Sequence, residues 1–324
     1  MRFGPDDIST AADRIAPHVI RTPLFRSDPL FDRYGAEILI KAEHQQLTGS
    51  FKVRGSANII HSLDAATVER GVVTASSGNH GIGVATAAAS RGISAKIFLP
   101  SNVSPAKLSQ IERLGAVPML VDSTDAIQGE IAARELSKAE GVLYISPYND
   151  PLVAAGQGTM GKEILEDSPG PIDAIVVAVG GGGMISGIAT WIKAHSPSTT
   201  IIGASALNDR AMAASVEAGR VVVPEFLPTF SDGTAGAIEE DAITLPICQE
   251  LVDEWVDITE EDIAAAVTSM VDDHHQLVEA SAGVAIASAT QHAQRSPGDR
   301  IVVVSCGGNV SSKSLAKMIE LATS

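Results

Sequence analysis

Cysteine, aromatic side chains and positive charge are all scarce in this chain, and each shortage removes a class of explanation. Cys248 and Cys306 are its only cysteines, too few for a disulfide framework. Aromatic residues make up 4% of the sequence, while alanine and glycine are abundant. Lysine and arginine number 23 against 39 aspartates and glutamates, a formal net charge of −16. A surface that tracks a phosphate backbone needs an excess of positive charge, so a nucleic-acid partner is not expected. A local pocket for one phosphate stays open. The longest apolar stretches are strand-length or broken by glycines, so no membrane span is expected. The opening residues lack the charged start, apolar run and cleavage site of a secretory signal, and a reducing cytoplasm is the expected setting. What remains is a chain of 324 residues, 45% apolar and 19% charged, the composition of an ordinary globular protein. It is long enough for one large core or for two lobes sharing a cleft.

Short β-branched runs alternate with longer alanine-rich segments of helical pattern. The runs are Ile38–Ala42, Gly71–Ala75, Ala95–Leu99, Val117–Val121, Ala174–Val179, Thr200–Ala204 and Ile301–Ser305. Continuous apolar strands suit a sheet buried on both faces. Helical patterns at Asn79–Arg91, Pro105–Leu114, Ala126–Glu140 and Glu260–His275 separate them. Thr259 before the acidic Glu260–Asp262 reads as a helix N-cap. The alternation predicts an α/β architecture with parallel strands.

Ligands of parallel sheets bind outside the carboxyl ends of the strands, and three unusual loops lie there. Ser76-Ser77-Gly78-Asn79-His80-Gly81 precedes a helix. Its hydroxyls and amides either cap that helix or receive an anion such as a substrate carboxylate. Gly180, Gly181, Gly182 and Gly183, then Met184, follow the strand ending at Val179. Four glycines let the backbone close on an anion, and phosphate is the guest this predicts. A Walker lysine and GxGxxG spacing are both missing, which argues against a nucleoside triphosphate or dinucleotide. Cys306-Gly307-Gly308-Asn309 is the third loop; it reads equally as a plain turn, and a cysteine there as a small buried residue. Lys52, in Ser50-Phe51-Lys52-Val53-Arg54-Gly55, would be unremarkable alone. Together with a phosphate cradle it is what pyridoxal phosphate requires, one amine for an imine and one anion site.

The ordered set SFKVRG, SSGNHG, the Pro147–Thr159 stretch with AGQGT, GGGGM, SDG and CGGN resembles the fold-type-II pyridoxal-phosphate enzymes. Within them it resembles the serine/threonine dehydratase and serine racemase family, over nearly the whole chain. The resemblance implies a tryptophan-synthase-β-like fold of two open twisted sheets flanked by helices. Residues 1–69 and 147–324 would form a large cofactor domain, and 70–146 a small mobile one. Lys52 would carry the cofactor as a Schiff base and move the α proton. Asn79 would bond the ring's 3′ oxygen. Ser76, Ser77, Asn79 and His80 would surround the substrate carboxylate. Gly180 to Gly183 and the Met184 amide would hold the phosphate. Cys306 would face the pyridine nitrogen and Glu279 would lie near the ring. Asp232 and Gly233 would sit beside the cofactor and the substrate side chain. The implied reaction is loss of water from threonine or serine, giving a 2-oxo acid and ammonia, in a homodimer.

Departures and alternatives accompany the resemblance. Cation-binding relatives carry carboxylates where this chain has Ser205 and Ala211, so activation by a divalent ion is not expected; Asp209 alone supplies too few oxygens. His274-His275 point to different helix faces and read as solvated or capping residues. Serine racemase is the main alternative, with Ser77 as the acid/base opposite Lys52. A dehydratase of hydroxyaspartate or of an ectoine-breakdown intermediate, a β-replacement synthase and a non-catalytic pyridoxal-phosphate carrier are further readings. The end at Ser324 leaves no room for a regulatory domain, and feedback by isoleucine is not expected.

Overall fold

A computed structural model describes residues 3–124 and 126–323. Among these residues, twenty-four helices and strands follow one another. The first part runs α1 (Pro5–Ile15), β1 (Leu24–Arg26), α2 (Asp28–Tyr34), β2 (Glu37–Lys41), α3 (Lys52–Ser62) and α4 (Ala65–Arg70). The middle runs β3 (Val72–Ala75), α5 (Asn79–Arg91), β4 (Ala95–Pro100), α6 (Pro105–Arg113), β5 (Val117–Val121), α7 (Ala126–Glu140) and β6 (Leu143–Tyr144). Then come α8 (Pro151–Asp167), β7 (Ala174–Ala178), α9 (Gly183–His195), β8 (Thr200–Ala206), α10 (Ala211–Ala218) and α11 (Thr244–Leu251). The chain closes with β9 (Glu254–Ile258), α12 (Glu260–His274), α13 (Ala280–Arg295), β10 (Arg300–Val304) and α14 (Ser312–Ala322).

The strands form two sheets, ordered β1-β2-β10-β7-β8-β9 and β5-β4-β3-β6. Every pairing is parallel except β1 with β2. The central strands β7 and β10 are almost wholly buried, which is why they read as unbroken apolar runs. Those runs made them legible. Three strands were not: β1 and β6 are only three and two residues long, and β9 is a half-buried edge with charged Glu254 and Asp257. Thr259 does cap α12, its side chain accepting from the Asp262 amide. His275 is the C-cap of the same helix in the left-handed region, and His274 meets the Ser27 hydroxyl at 3.0 Å.

Chain order interleaves the sheets: β1 and β2 join the six-stranded sheet, β3 to β6 make up the four-stranded one, and β7 to β10 return to the first. Helix α8 lies between β6 and β7 and makes that return. It packs against both α3 and α9, and small residues make this possible. A Cβ on Gly187 of α9 would run into the Ala154 carbonyl and the Gly158 backbone of α8. Gly187→Ala should therefore lower stability by about 1–3 kcal/mol, the cost of overpacking a close crossing. Urea unfolding checks this; an unchanged midpoint would show that the helices can part freely.

Candidate active site

The carboxyl ends of β3, β7 and β10 bring their three loops to one cleft. Helix α5 starts at Asn79, directly after the β3 loop. The Asn79 amide nitrogen donates to both Glu279 oxygens at 3.0 and 2.9 Å, and its oxygen accepts from Asn309 Nδ2 at 2.7 Å. A residue anchored on the four-stranded sheet thus reaches the loop that ends β10. Glu279 in turn lies 3.9 Å from the Cys306 sulfur, and its amide donates to the Gly307 carbonyl. Burial raises the Glu279 pKa against the bonds from Asn79. Burial, then the Glu279 charge, holds the Cys306 thiol protonated, its pKa well above the ordinary value.

Lys52 is the first residue of α3, and that start is fixed from outside. The Phe51 amide donates to the Cys306 carbonyl at 3.0 Å, and Ser50 bridges to Gly307. Lys52 Nζ reaches the Pro147 carbonyl at 3.3 Å. Although the side chain retains some exposure, the protein around it strips enough water to lower its pKa to about 8, against the attraction of Cys306 and Glu279. His80 is buried, and burial followed by the Lys52 charge lowers its pKa to about 3. It is therefore neutral, and its Nε2 donates to the Ile145 carbonyl at 3.1 Å, leaving Nδ1 as an acceptor. Ser76 and Ser77 are half-buried on the same loop, where the Ser76 hydroxyl accepts from the Gly78 amide.

The glycine loop is joined to this group through Tyr148, which follows Pro147, the acceptor of Lys52. Gly182 caps α9 with φ of 82°, a conformation that favours glycine. The first amides of α9 have no partner within their own helix and face outward from its positive end. The Tyr148 ring occupies the space a Cβ of Gly181 would need, and the Thr244 hydroxyl donates to the Gly181 carbonyl at 2.7 Å. Tyr148 and Thr244 were not singled out from the sequence; the only signal was the position of Tyr148 within the Pro147–Thr159 stretch. Gly233 packs on the Ser281 hydroxyl, while Asp232 is exposed and acts on Glu279 through its charge.

Lysine, glycine loop and carboxyl-end loops thus share one cleft. A buried amine of lowered pKa and a row of amides at a helix start are the donor set that suits pyridoxal phosphate: an amine for its aldehyde and a cradle for its phosphate. Away from the cleft, Ser205 is buried on β8, Asp209 accepts from the Gly236 amide, and Arg210 pairs with Asp257 at 2.8 Å and with Glu217. Among the described residues no group of three or more His, Cys, Asp and Glu is arranged to hold a metal ion. No helix among them is long and apolar enough to cross a membrane.

Residues 15–307 match the family model described as pyridoxal-phosphate dependent enzyme. An L-threonine ammonia-lyase of Thermotoga maritima is 36% identical over 314 residues, 97% of this chain and 77% of that protein. The solved structure of the processed form of threonine deaminase isoform 2 from Solanum lycopersicum superposes with a TM-score of 0.92 at 34% identity, covering 99% of this chain and 95% of that one. Maize serine racemase gives 0.91 at 33% identity, with 99% and 98% covered.

Burial of Lys52 has a measurable consequence in the cofactor-free protein. Its folded pKa lies below the unfolded value, so the unfolded chain binds more protons between about pH 8 and 10.5. The penalty is present in full below pH 8 and is relieved as pH rises through that window. Lys52→Met should therefore be more stable than the wild type at neutral pH, by on the order of 2 kcal/mol after allowance for solvent screening. The gap should close toward the alkaline end. A pH-independent gap in urea midpoints would show that the lysine is not desolvated.

Proposed function

The chain belongs to the pyridoxal-phosphate dependent enzyme family, and we propose that it removes water from threonine or serine, releasing a 2-oxo acid and ammonia. The observation that carries this reading is the buried Lys52, poised near neutrality between a hydroxyl-rich loop and an amide cradle. The relatives named for threonine ammonia-lyase and threonine deaminase activity support it.

When bound, pyridoxal phosphate supplies an electron sink conjugated to the substrate's α carbon. Gly180 to Gly183 and the Met184 amide receive its phosphate at the start of α9. Ser76, Ser77 and Asn79 receive the substrate carboxylate at the start of α5, where the helix dipole favours an anion. Neutral His80, tied to Ile145, props that loop from beneath. Lys52, partly neutral near pH 8, accepts the α proton; the β-hydroxyl leaves with a proton as water, and water then hydrolyses the freed enamine to the 2-oxo acid and ammonia. The protonated Cys306 thiol would be the partner of the cofactor's ring nitrogen; a neutral thiol would stabilise positive charge there less than an aspartate does, which would favour prompt departure of the β-hydroxyl. Asp232 and Gly233 flank the substrate side chain. Residues 70–146 act as a small lobe that closes on the cleft, and the enzyme works as a cytoplasmic homodimer.

A racemase is the second reading, favoured by the superposition on maize serine racemase. Ser77 would then exchange the second proton across the ring from Lys52. Products separate the two. With L-threonine or L-serine, the wild type should form mainly 2-oxo acid. Lys52→Ala should lose roughly 10²–10⁴-fold or more, and Ser77→Ala only part of the rate. Fast formation of the opposite enantiomer that vanishes in Ser77→Ala, with little 2-oxo acid, would overturn elimination in favour of racemisation.

A further inference from the structure

Two residues beyond Lys52, in the same first turn of α3, Arg54 is fully buried. Its Nε and Nη2 donate to the two Glu43 oxygens, both at 2.8 Å. Its Nη1 and Nη2 donate to the two Glu163 oxygens at 2.7 and 2.9 Å. Thr159 Oγ1 and the Ile20 carbonyl lie at 3.2 and 3.3 Å. Lys41, also fully buried, donates to Glu163 and to the Thr22 carbonyl, and the Thr22 hydroxyl closes the ring onto Glu43. Burial opposes the Arg54 charge, yet Glu43 and Glu163 outweigh it and raise its pKa; Arg54 likewise lowers that of Glu43. Two cations and two carboxylates cancel inside the protein.

A helix turns about 100° per residue, so side chains two apart point to opposite sides. Lys52 faces the cleft and Arg54 the interior. Helix α3 has no side-chain cap at its start, so its first turn needs another anchor. The fork of Arg54 supplies one, and its attachments are the elements that flank Lys52. Glu43 follows β2, which pairs with β10. Thr159 and Glu163 belong to α8, which begins just after Pro147, the acceptor of Lys52 Nζ.

We propose that Arg54 is a positioning residue: its two bidentate pairs fix where the Lys52 amine sits. This rests on the reading of Lys52 as the cofactor's lysine, but not on which substrate is used.

The test traps pyridoxal phosphate on the protein with borohydride and reads Lys52 by peptide mass spectrometry across a neutral-to-alkaline pH series. Arg54→Lys keeps the charge and loses the fork. Lys41→Met with Glu163→Gln removes one cation and one carboxylate, leaving a balanced Arg54–Glu43 pair and half the clamp. Both variants should trap at Lys52 roughly tenfold to a hundredfold more slowly, as expected for a reacting atom displaced by about 1 Å. Their pH midpoints should shift from the wild type, and kcat should fall while KM holds, because neither cradle is touched. A folded variant with the wild-type trapping rate and midpoint would overturn the proposal. So would loss of fold in both, which would assign the cluster to stability alone. A wild type that traps at Lys52 but makes no 2-oxo acid overturns elimination only; trapping in the variants still decides the role of Arg54.

Discussion

A guanidinium cannot be left buried without partners, and this single constraint organises the interior around Arg54. Removing one partner from a buried ion pair typically costs about 3–5 kcal/mol, so the cluster with Glu43, Glu163 and Lys41 holds together as a unit. It binds the first turn of α3 to the end of β2, a short way back along the chain, and to α8, 109 residues on from Arg54 at Glu163. The glycine-lined packing of α8 on α3 and α9 then carries the same constraint to the glycine loop. Both Lys52 and the glycine loop are referred to one neutral, saturated core of charge.

The electrostatics of the cleft rest on the backbone more than on charged side chains. With a net charge of −16, the protein as a whole repels anions. In the proposed reading it binds two of them, a phosphate and a carboxylate, at the starts of α9 and α5. Helix starts present several N–H groups at once without adding a titratable cation. The amine of Lys52 in the cleft is held toward its neutral form by burial. That suits an amine that must be neutral to react.

Glu279, Asn79 and Asn309 join the two sheets across the cleft. Their bonds run from the start of α5 to the loop after β10, so any separation of the sheets must break them. The region of Ser205, Asp209 and Arg210 is organised differently: Asp257 and Glu217 are engaged by Arg210, and Asp209 by a backbone amide.

The sequence by itself was enough for the α/β class, the buried parallel strands, the loops at their ends and the family. Those features are local: an unbroken apolar run marks a strand buried on both faces, and a glycine run after it marks a close backbone approach. Short or half-buried strands such as β1, β6 and β9 carry too few apolar residues to show the same signature. Only the tertiary structure brought Pro147 to Lys52, Tyr148 over Gly181, and Glu43 and Glu163 to Arg54. Arg54 and Glu163 are read separately as two ordinary charges 109 residues apart. A charge's burial, and hence the partner it requires and the pKa it takes, is a property of what packs around it, and no local pattern along the chain records that.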